Sequence, residues 1–322
     1  MPRRRVHVVI NPAAGQDEPI LNTLNRVFQE AEIDWDISLT KQAGDARQQA
    51  QIAAQSGVDI VAVYGGDGTV AEVASGLLGT SIPLAILPGG TANVLSVELG
   101  IPATLPLACQ LICDPKATIR KMDMGQVNDH YFMLRVGIGF EAAMVENADR
   151  GLKDKYGVFA YLWSAMQNLY KPEVARYQLI IDGKQIETEG VNCMIANSGN
   201  MGQAGLNFLP SINVSDGLLD IIVVQEASLR TFFDVIGSIA GLKQVESDQL
   251  LQASLRDKAD NAGQPATQSL QYWQGREVSL VTDPPQTIQF DGEILGKVAI
   301  QCKIIPQAIS ILVPPVQPVA AG

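Results

Sequence analysis

Apolar residues arrive along the first 125 positions in two alternating rhythms. Val6 to Ile10 is a short apolar run, interrupted by His7 and stopped by Asn11-Pro12, as expected of a buried strand. Ile20, Leu21, Leu24, Val27, Phe28 and Ala31 then recur at helical spacing and share one face. Trp35, Ile37 and Leu39 alternate with Asp36 and Ser38, the period of a half-exposed strand. The cycle repeats with an alanine-rich helix over 45–56, Asp45 near its start and Gly57 just past its end. A strand over 60–64, a helix over 70–78, a strand over 84–87 and a short helix over 94–99 follow. This alternation predicts an α/β domain on a doubly wound parallel sheet, spanning residues 1–126. In such sheets ligands bind outside the carboxyl ends of the strands. Three glycine-bearing turns stand at predicted strand ends: 11–15, 65–69 and 89–93.

Beyond Gln126 the pattern changes to strand-like runs, at 131–136, 177–181, 191–196, 219–224, 277–281 and 298–303. Asp182-Gly183 is a hairpin-turn signal. These runs predict a second domain over 127–304, a mainly antiparallel β-sandwich. Two helical stretches, 144–170 and 229–245, interrupt it, and the polar segment 257–269 reads as a loop. The last apolar run, 308–313, can add a strand to either domain, so the chain from about 305 to 322 is a candidate return to the first.

Composition narrows the chemistry. The 322-residue chain carries a formal charge of -11, which argues against a nucleic-acid partner. No uninterrupted apolar stretch approaches the roughly 18 residues of a spanning helix. The run after Arg3-Arg4-Arg5 is too brief for a signal-peptide core. Cys109, Cys113, Cys193 and Cys302 show no zinc spacing and fit free thiols in a reducing cytoplasm. The two histidines, His7 and His130, and the absence of a GxSxG elbow leave no serine triad. Carboxylates, backbone amides and a metal remain.

The turn at 65–69, Gly-Gly-Asp-Gly-Thr, follows a strand and opens a helix. Its glycines permit positive φ and expose amides that can cradle phosphate oxygens, and the helix start favours an anion. Asp67 is a carboxylate suited to Mg²⁺ on those phosphates. Alone, the turn reads first as a plain strand-to-helix connection, since such short motifs recur by chance. A second strand ends in Pro-Gly-Gly-Thr-Ala-Asn at 88–93, followed by Leu-Gly-Ile-Pro at 99–102. With these come NPAAG at 11–15, TKQAGDA at 40–46, MDMG at 122–125, VGIGFEA at 136–142, SDGLLDIIVV at 215–224 and FDGE at 290–293. In this order they resemble the diacylglycerol kinase catalytic-domain family, which includes bacterial lipid kinases and the sphingosine and ceramide kinases.

The resemblance implies transfer of the γ-phosphoryl group of ATP to the hydroxyl of a lipid alcohol at a membrane surface. It implies a nucleotide site formed by Asn11, Pro12, Gly15, Thr40, Gly65, Gly66, Asp67, Gly68, Thr69, Glu72, Gly90, Thr91 and Asn93. Glu293 would be the general base, a carboxylate beside the acceptor hydroxyl, and Asp67 its catalytic partner. Asp216, with the carbonyls of Asn213 and Leu218, would hold a structural Mg²⁺, while Asp123 and Asp67 would support the active-site metal. The chain departs from the family pattern at Val94, where Asp is frequent, at Ala71, where Asn is frequent, and at Glu141, where Asp is frequent.

Other readings compete. Gly137 to Ala142 fits a dinucleotide fingerprint, but lies in the β-rich half without the ribose-binding acid about twenty residues on. An NAD kinase would carry GGDGT without the PGGTAN and FDGE segments, and a lipid-binding pseudokinase would keep the fold alone. On the acceptor side, Val158, Leu162, Ala165, Met166 and Leu169 share one helical face, and Tyr156, Phe159, Trp163 and Tyr170 another. Bracketed by Arg150, Lys153, Lys155 and Lys171, this segment is either buried core or a lipid-facing surface. The expected location is cytoplasmic, with peripheral membrane contact, and a homo-oligomer is left open.

Overall fold

The computed structural model describes residues 3–14, 18–139, 142, 173–200, 212–225 and 270–315. In the first half, β1 (Arg5–Ile10), α1 (Ile20–Glu30), β2 (Asp34–Leu39), α2 (Asp45–Gln55), β3 (Ile60–Gly65), α3 (Asp67–Gly76) and β4 (Leu84–Pro88) alternate as the apolar pattern requires. The strands pair in parallel in the order β2-β1-β3-β4. β3 and β4 are buried along their whole length, which explains their continuous apolar runs. β2 is the edge strand, and its Ile37 and Leu39 stay exposed. α1 buries Leu24, Val27 and Phe28 against the sheet.

The short α4 (Val94–Glu98) is followed by two elements that the pattern does not announce, α5 (Leu105–Cys113) and β5 (Thr118–Val127). α5 is apolar round most of its circumference, so no stripe marks it, although Pro106 stands in its first turn. β5 alternates weakly because Met122, Asp123 and Met124 are all buried.

The second half holds β6 (His130–Phe132), β7 (Arg135–Gly139), β8 (Ala175–Ile181), β9 (Lys184–Gly190), β10 (Asn192–Ala196), β11 (Leu219–Val224), β12 (Leu270–Gly275), β13 (Glu277–Asp283), β14 (Ile288–Phe290), β15 (Glu293–Gly296) and β16 (Ile300–Val313). β12-β11-β10-β7-β14-β15 form a six-stranded antiparallel sheet. β16, β13, β8 and β9 extend the first sheet instead, so it reaches ten strands with β5 and β6. The two sheets face one another across Val136, Ile138, Cys193, Ile195, Ile221 and Val223 on one side and Tyr177, Leu179, Val278 and Leu280 on the other. The result is a parallel α/β half joined to an antiparallel sandwich. Asp182 and Gly183 both take left-handed φ in the β8–β9 turn, as the hairpin signal requires.

Two strand expectations change. The run 131–136 is not one strand: β6 pairs with β5 in the large sheet, β7 pairs with β10 in the small one, and buried Met133 and Leu134 carry the chain between them. Conversely, the runs at 298–303 and 308–313 are one strand. β16 lies antiparallel to β5, with a break in register between Ile305 and Ile309. Near its end Ile311 pairs in parallel with Leu84 of β4, so this strand spans both halves. The helical stretches expected over 144–170 and 229–245, with the acceptor-side residues named on the first, lie outside the described residues.

Candidate active site

The three glycine-bearing turns meet at the carboxyl ends of β1, β3 and β4. Asn11 joins the first two: its amide donates to the Tyr64 carbonyl (2.9 Å) and its Nδ2 to Thr69 Oγ1 (3.0 Å). Its Oδ1 accepts from Ala13 N (3.0 Å), closing the turn over Pro12. Gly15 lies outside the described residues. Thr40 is nearly buried and donates its amide to Ile10 O (2.9 Å), so the 40–46 segment starts against β1.

The glycines act differently from the expectation. None of Gly65, Gly66, Gly68, Gly89 or Gly90 has positive φ; Gly66 is extended at φ -86°. Most serve close approach. A Cβ on Gly65 would stand 2.7 Å from Thr69 Cβ, and one on Gly90 would stand 2.6 Å from Gly66 Cα. The second and third turns therefore touch backbone to backbone. Gly68 is the exception, because a Cβ there would meet nothing within 4 Å. Its bare backbone lines an open cleft at the start of α3.

Carboxylates fasten these turns. Asp67 accepts from Val94 N (3.0 Å) and Leu95 N (3.1 Å), bonding the third turn's helix to the second turn. Burial raises its pKa against the opposing pull of the Leu95 and Val94 amides and nearby Arg135. Asn93, at φ 47°, closes its own turn, accepting from Gly90 N (2.9 Å) and donating to Gly90 O (2.7 Å). Thr91 is exposed beside it. Glu72 accepts from Gly44 N (3.0 Å) and Ala46 N (3.2 Å), capping α2 and tying the 40–46 segment to α3. Two of the departures from the family pattern have surroundings: Val94 is a buried apolar residue whose amide meets Asp67, and Ala71 lines the cleft, while Glu141 lies outside the described residues.

That cleft, of about 180 Å³, is lined by Gly44, Arg47, Gly68, Ala71, Glu72 and Ser75 on the α2–α3 side. Asp129, His130, Tyr131, Phe290, Asp291 and Glu293 face them. Glu293 opens β15 and is exposed. The turn before it, Asp291 (φ 44°) and Gly292 (φ 90°), is left-handed at both positions, which favours this Asp-Gly pair. The structure thus brings Gly68 and Glu72 of the expected nucleotide set to Glu293 of the expected base.

Sequence reasoning passed over the rest of this wall. His130 lays its ring on Phe290 with centroids 4.9 Å apart, and the Arg47 guanidinium lies 5.6 Å from the Tyr131 ring centre. Apart from the Asn-Asp turn at 128–129, no sequence signal marks them. His7, by contrast, meets Ser38 Oγ at 2.9 Å between neighbouring strands, and burial lowers its pKa, as a structural histidine.

The second acidic group stands apart from the cleft. Asp123 is buried and accepts from Gly217 N (2.6 Å) and Gln307 N (2.7 Å), stapling β5 to the 213–218 turn and to the register break of β16. In that turn Asp216 Oδ1 accepts from Leu218 N (3.0 Å), and Asn213 Oδ1 from Ser215 N (3.1 Å). Burial raises the pKa of Asp216, and the Asp123 charge raises it further. Among the described residues, no three His, Cys, Asp or Glu side chains converge as a metal site.

A family model described as the diacylglycerol kinase catalytic domain matches residues 5–127. A second, the YegS C-terminal NAD kinase beta sandwich-like domain, matches residues 135–257. An uncharacterised Synechocystis protein is 34% identical over 96% of this chain and 70% of its own length. A Staphylococcus aureus (strain MSSA476) protein named "Putative lipid kinase SAS0691" is 30% identical over 79% of this chain and 77% of its own. A crystal structure of a Bacillus anthracis protein, titled as a diacylglycerol kinase, superposes with a TM-score of 0.74. That structure is 28% identical and covers 97% of this chain and 98% of that one. The chain belongs to the diacylglycerol kinase-like family of lipid kinases.

Proposed function

We propose that the protein is an ATP-dependent lipid kinase, transferring the γ-phosphoryl group of ATP to the hydroxyl of diacylglycerol or a similar lipid alcohol. The observation that carries this reading is the cleft in which the bare backbone at Gly68, at the start of α3, faces the Glu293 carboxylate. Phosphoryl transfer is mostly positioning and charge stabilisation, so amides on one wall and a base on the other are the parts required. Residues 1–126 would bind the nucleotide, through Asn11, Pro12, Gly15, Thr40, Gly65 to Thr69, Glu72, Gly90, Thr91 and Asn93. Residues 127–304 would present the acceptor. Glu293 takes the proton of the acceptor hydroxyl as its oxygen attacks the γ-phosphorus and the bond to ADP breaks.

The residues also fit Mg²⁺ by their chemistry. Among the described residues, four carboxylates, Glu72, Asp129, Asp291 and Glu293, line the cleft with one guanidinium, Arg47. A triphosphate entering there brings further negative charge, which a hard divalent cation offsets when bound. Asp67 would hold the active-site ion, and Asp123, which the fold sets apart from the cleft and beside Asp216, would support a second ion instead. Asp216, with the carbonyls of Asn213 and Leu218, offers the oxygen set for a structural one, and the mutual repulsion of Asp216 and Asp123 favours a cation nearby. No helix among the described residues is long and apolar enough to cross a membrane, so the lipid would be met at the membrane surface.

The test is transfer from radiolabelled ATP to a panel of lipid alcohols in mixed vesicles, with NAD as a competing acceptor. Label is expected on a lipid and to fall at least about a hundredfold in Glu293→Gln. Label on NAD alone would favour the NAD kinase reading, and label on neither would favour a lipid-binding pseudokinase. Activity surviving Glu293→Gln but lost in Asp129→Asn would move the base to Asp129.

A further inference from the structure

The chain crosses from the large sheet to the small one at Met133, Leu134 and Arg135, where the first two residues are buried in irregular backbone. Buried peptide groups need partners, and here all six can be accounted for. The three amides converge on one carboxylate: Asp291 accepts from Met133 N (2.6 Å), Leu134 N (3.0 Å) and Arg135 N (2.9 Å). The three carbonyls are met from two sides. Asn197 Nδ2 donates to Met133 O (2.8 Å), Asn197 N and Ser198 N donate to Leu134 O (2.8 and 3.0 Å), and Asp291 N donates to Arg135 O (3.0 Å).

Asp291 therefore clamps the crossing peptide, and it does so from inside the turn that carries Glu293. Gly292 is held from the other side, donating its amide to Gln289 Oε1 (2.8 Å). The turn cannot shift on the sheet without breaking amide bonds to an ionised acceptor, which are among the stronger hydrogen bonds. The neighbouring clamp reaches the nucleotide turns: Ser198 Oγ and Asn200 N both donate to Glu98 at the end of α4 (3.1 Å each), and α4 begins on the amides bound by Asp67.

Resting on the lipid-kinase reading, we propose that Asp291 is a positioning residue. By holding the amides of residues 133–135 it fixes the β14–β15 turn and so sets the place of Glu293 relative to the nucleotide turns. It takes no part in proton or phosphoryl transfer. The clamp has no counterpart in the nucleotide contacts, so its loss separates the rate of transfer from nucleotide binding.

The experiment uses the full-length protein with Asp291→Ala, Asp291→Asn and Gly292→Ala. In Asp291→Ala, kcat is expected to fall ten- to a hundredfold, the effect of misplacing a reacting group by about 1 Å. KM for ATP should stay within about twofold, because the bonds of Asn11 to Thr69 and of Asp67 to Val94 are untouched. Hydrogen exchange should quicken at residues 133–135 and not in α3. Asp291→Asn keeps one acceptor oxygen and should fall between. Gly292→Ala leaves every Asp291 bond in place and meets open space, but strains a residue at φ 90°, so it tests the turn even if the Asp291 variants do not fold. It should lower kcat with the same unchanged KM. Wild-type kcat in folded Asp291→Ala, or in Gly292→Ala, would overturn the proposal. A wild-type protein that labels no lipid alcohol would instead overturn the functional reading, and the positioning role with it.

Discussion

Replacing Gly68 with alanine separates the two uses of glycine in the nucleotide turns. Gly65 and Gly90 are required by packing, since a Cβ on either would lie within 2.7 Å of another residue's carbon. Gly68 is required by neither packing nor φ: its Cβ would meet nothing within 4 Å, and its φ is not positive. It stands in the first turn of α3, where alanine favours the helix by up to about 1 kcal/mol. Gly68→Ala should therefore unfold at an equal or slightly higher temperature, by about 1–3 °C. The added methyl projects into the cleft where phosphate oxygens would approach the amides. Loss of one charge-assisted hydrogen bond there costs about 1.5–3 kcal/mol, or roughly ten- to a hundredfold in nucleotide affinity. Differential scanning fluorimetry and calorimetric titration with a non-hydrolysable ATP analogue and Mg²⁺ measure the two quantities. A variant as stable as wild type that binds the analogue equally well would refute the idea that this backbone is bare for phosphate. A variant destabilised by more than about 1 kcal/mol would show that Gly68 is a packing residue after all.

Asp67→Asn leaves one acceptor oxygen for the amides of Val94 and Leu95, and should cost about 1–3 kcal/mol in urea unfolding; a change below about 0.5 kcal/mol would mean that α4 does not depend on it. Asp123→Ala leaves the amides of Gly217 and Gln307 without their acceptor, and should cost about 2–5 kcal/mol by the same measurement; near-neutrality would show that the staple is dispensable. Burial pushes the Asp291 carboxyl up to about 6, so carbon-13 NMR should show a titration near there that disappears in Asp291→Asn; a midpoint near 4 would contradict it. Because that pKa is raised on folding, its contribution of about 3 kcal/mol is fully present below about pH 4 and is lost as pH rises through about 6.

The parallel half was legible because β3 and β4 are buried along their whole length, the edge strand β2 alternates apolar with polar residues, and the helices bury one face, so each element wrote its own period into the sequence. α5 was not, because a helix apolar nearly all round has no stripe to read. The crossing at Met133–Leu134 was hidden for a related reason. Both residues are buried, so the apolar run continues through the point where the chain leaves one sheet for the other. β16 was split because its register break places the exposed Gln307 in mid-strand. At the site, the motif glycines marked the right turns but suggested the wrong reason. Left-handed backbone is a local property that a sequence can signal, whereas the approach of Gly90 to Gly66 depends on two turns that only folding brings together.

Carboxylates show the same division between local signal and assembled use. Asp67, Glu72, Glu98, Asp123, Asp182 and Asp291 each accept at least two hydrogen bonds from backbone amides or a hydroxyl of another segment or turn. A residue so engaged is poorly placed to serve as a base, because taking a proton would weaken bonds that hold the site together. Of the cleft carboxylates, Glu72 and Asp291 are spent in this way, while Asp129 and Glu293 hold no backbone amide of a described residue. Those two differ in what fixes them. Asp129 sits in the short turn between β5 and β6, beside the left-handed Asn128. Glu293 follows a turn clamped by three amides on Asp291 and by the Gln289 side chain. General-base catalysis depends on fixed geometry before it depends on pKa, which favours Glu293 over Asp129 in the proposed assignment of the base. Part of the acidity of this chain is thus structural, and one of these carboxylates, Asp291, holds the turn that carries the exposed Glu293.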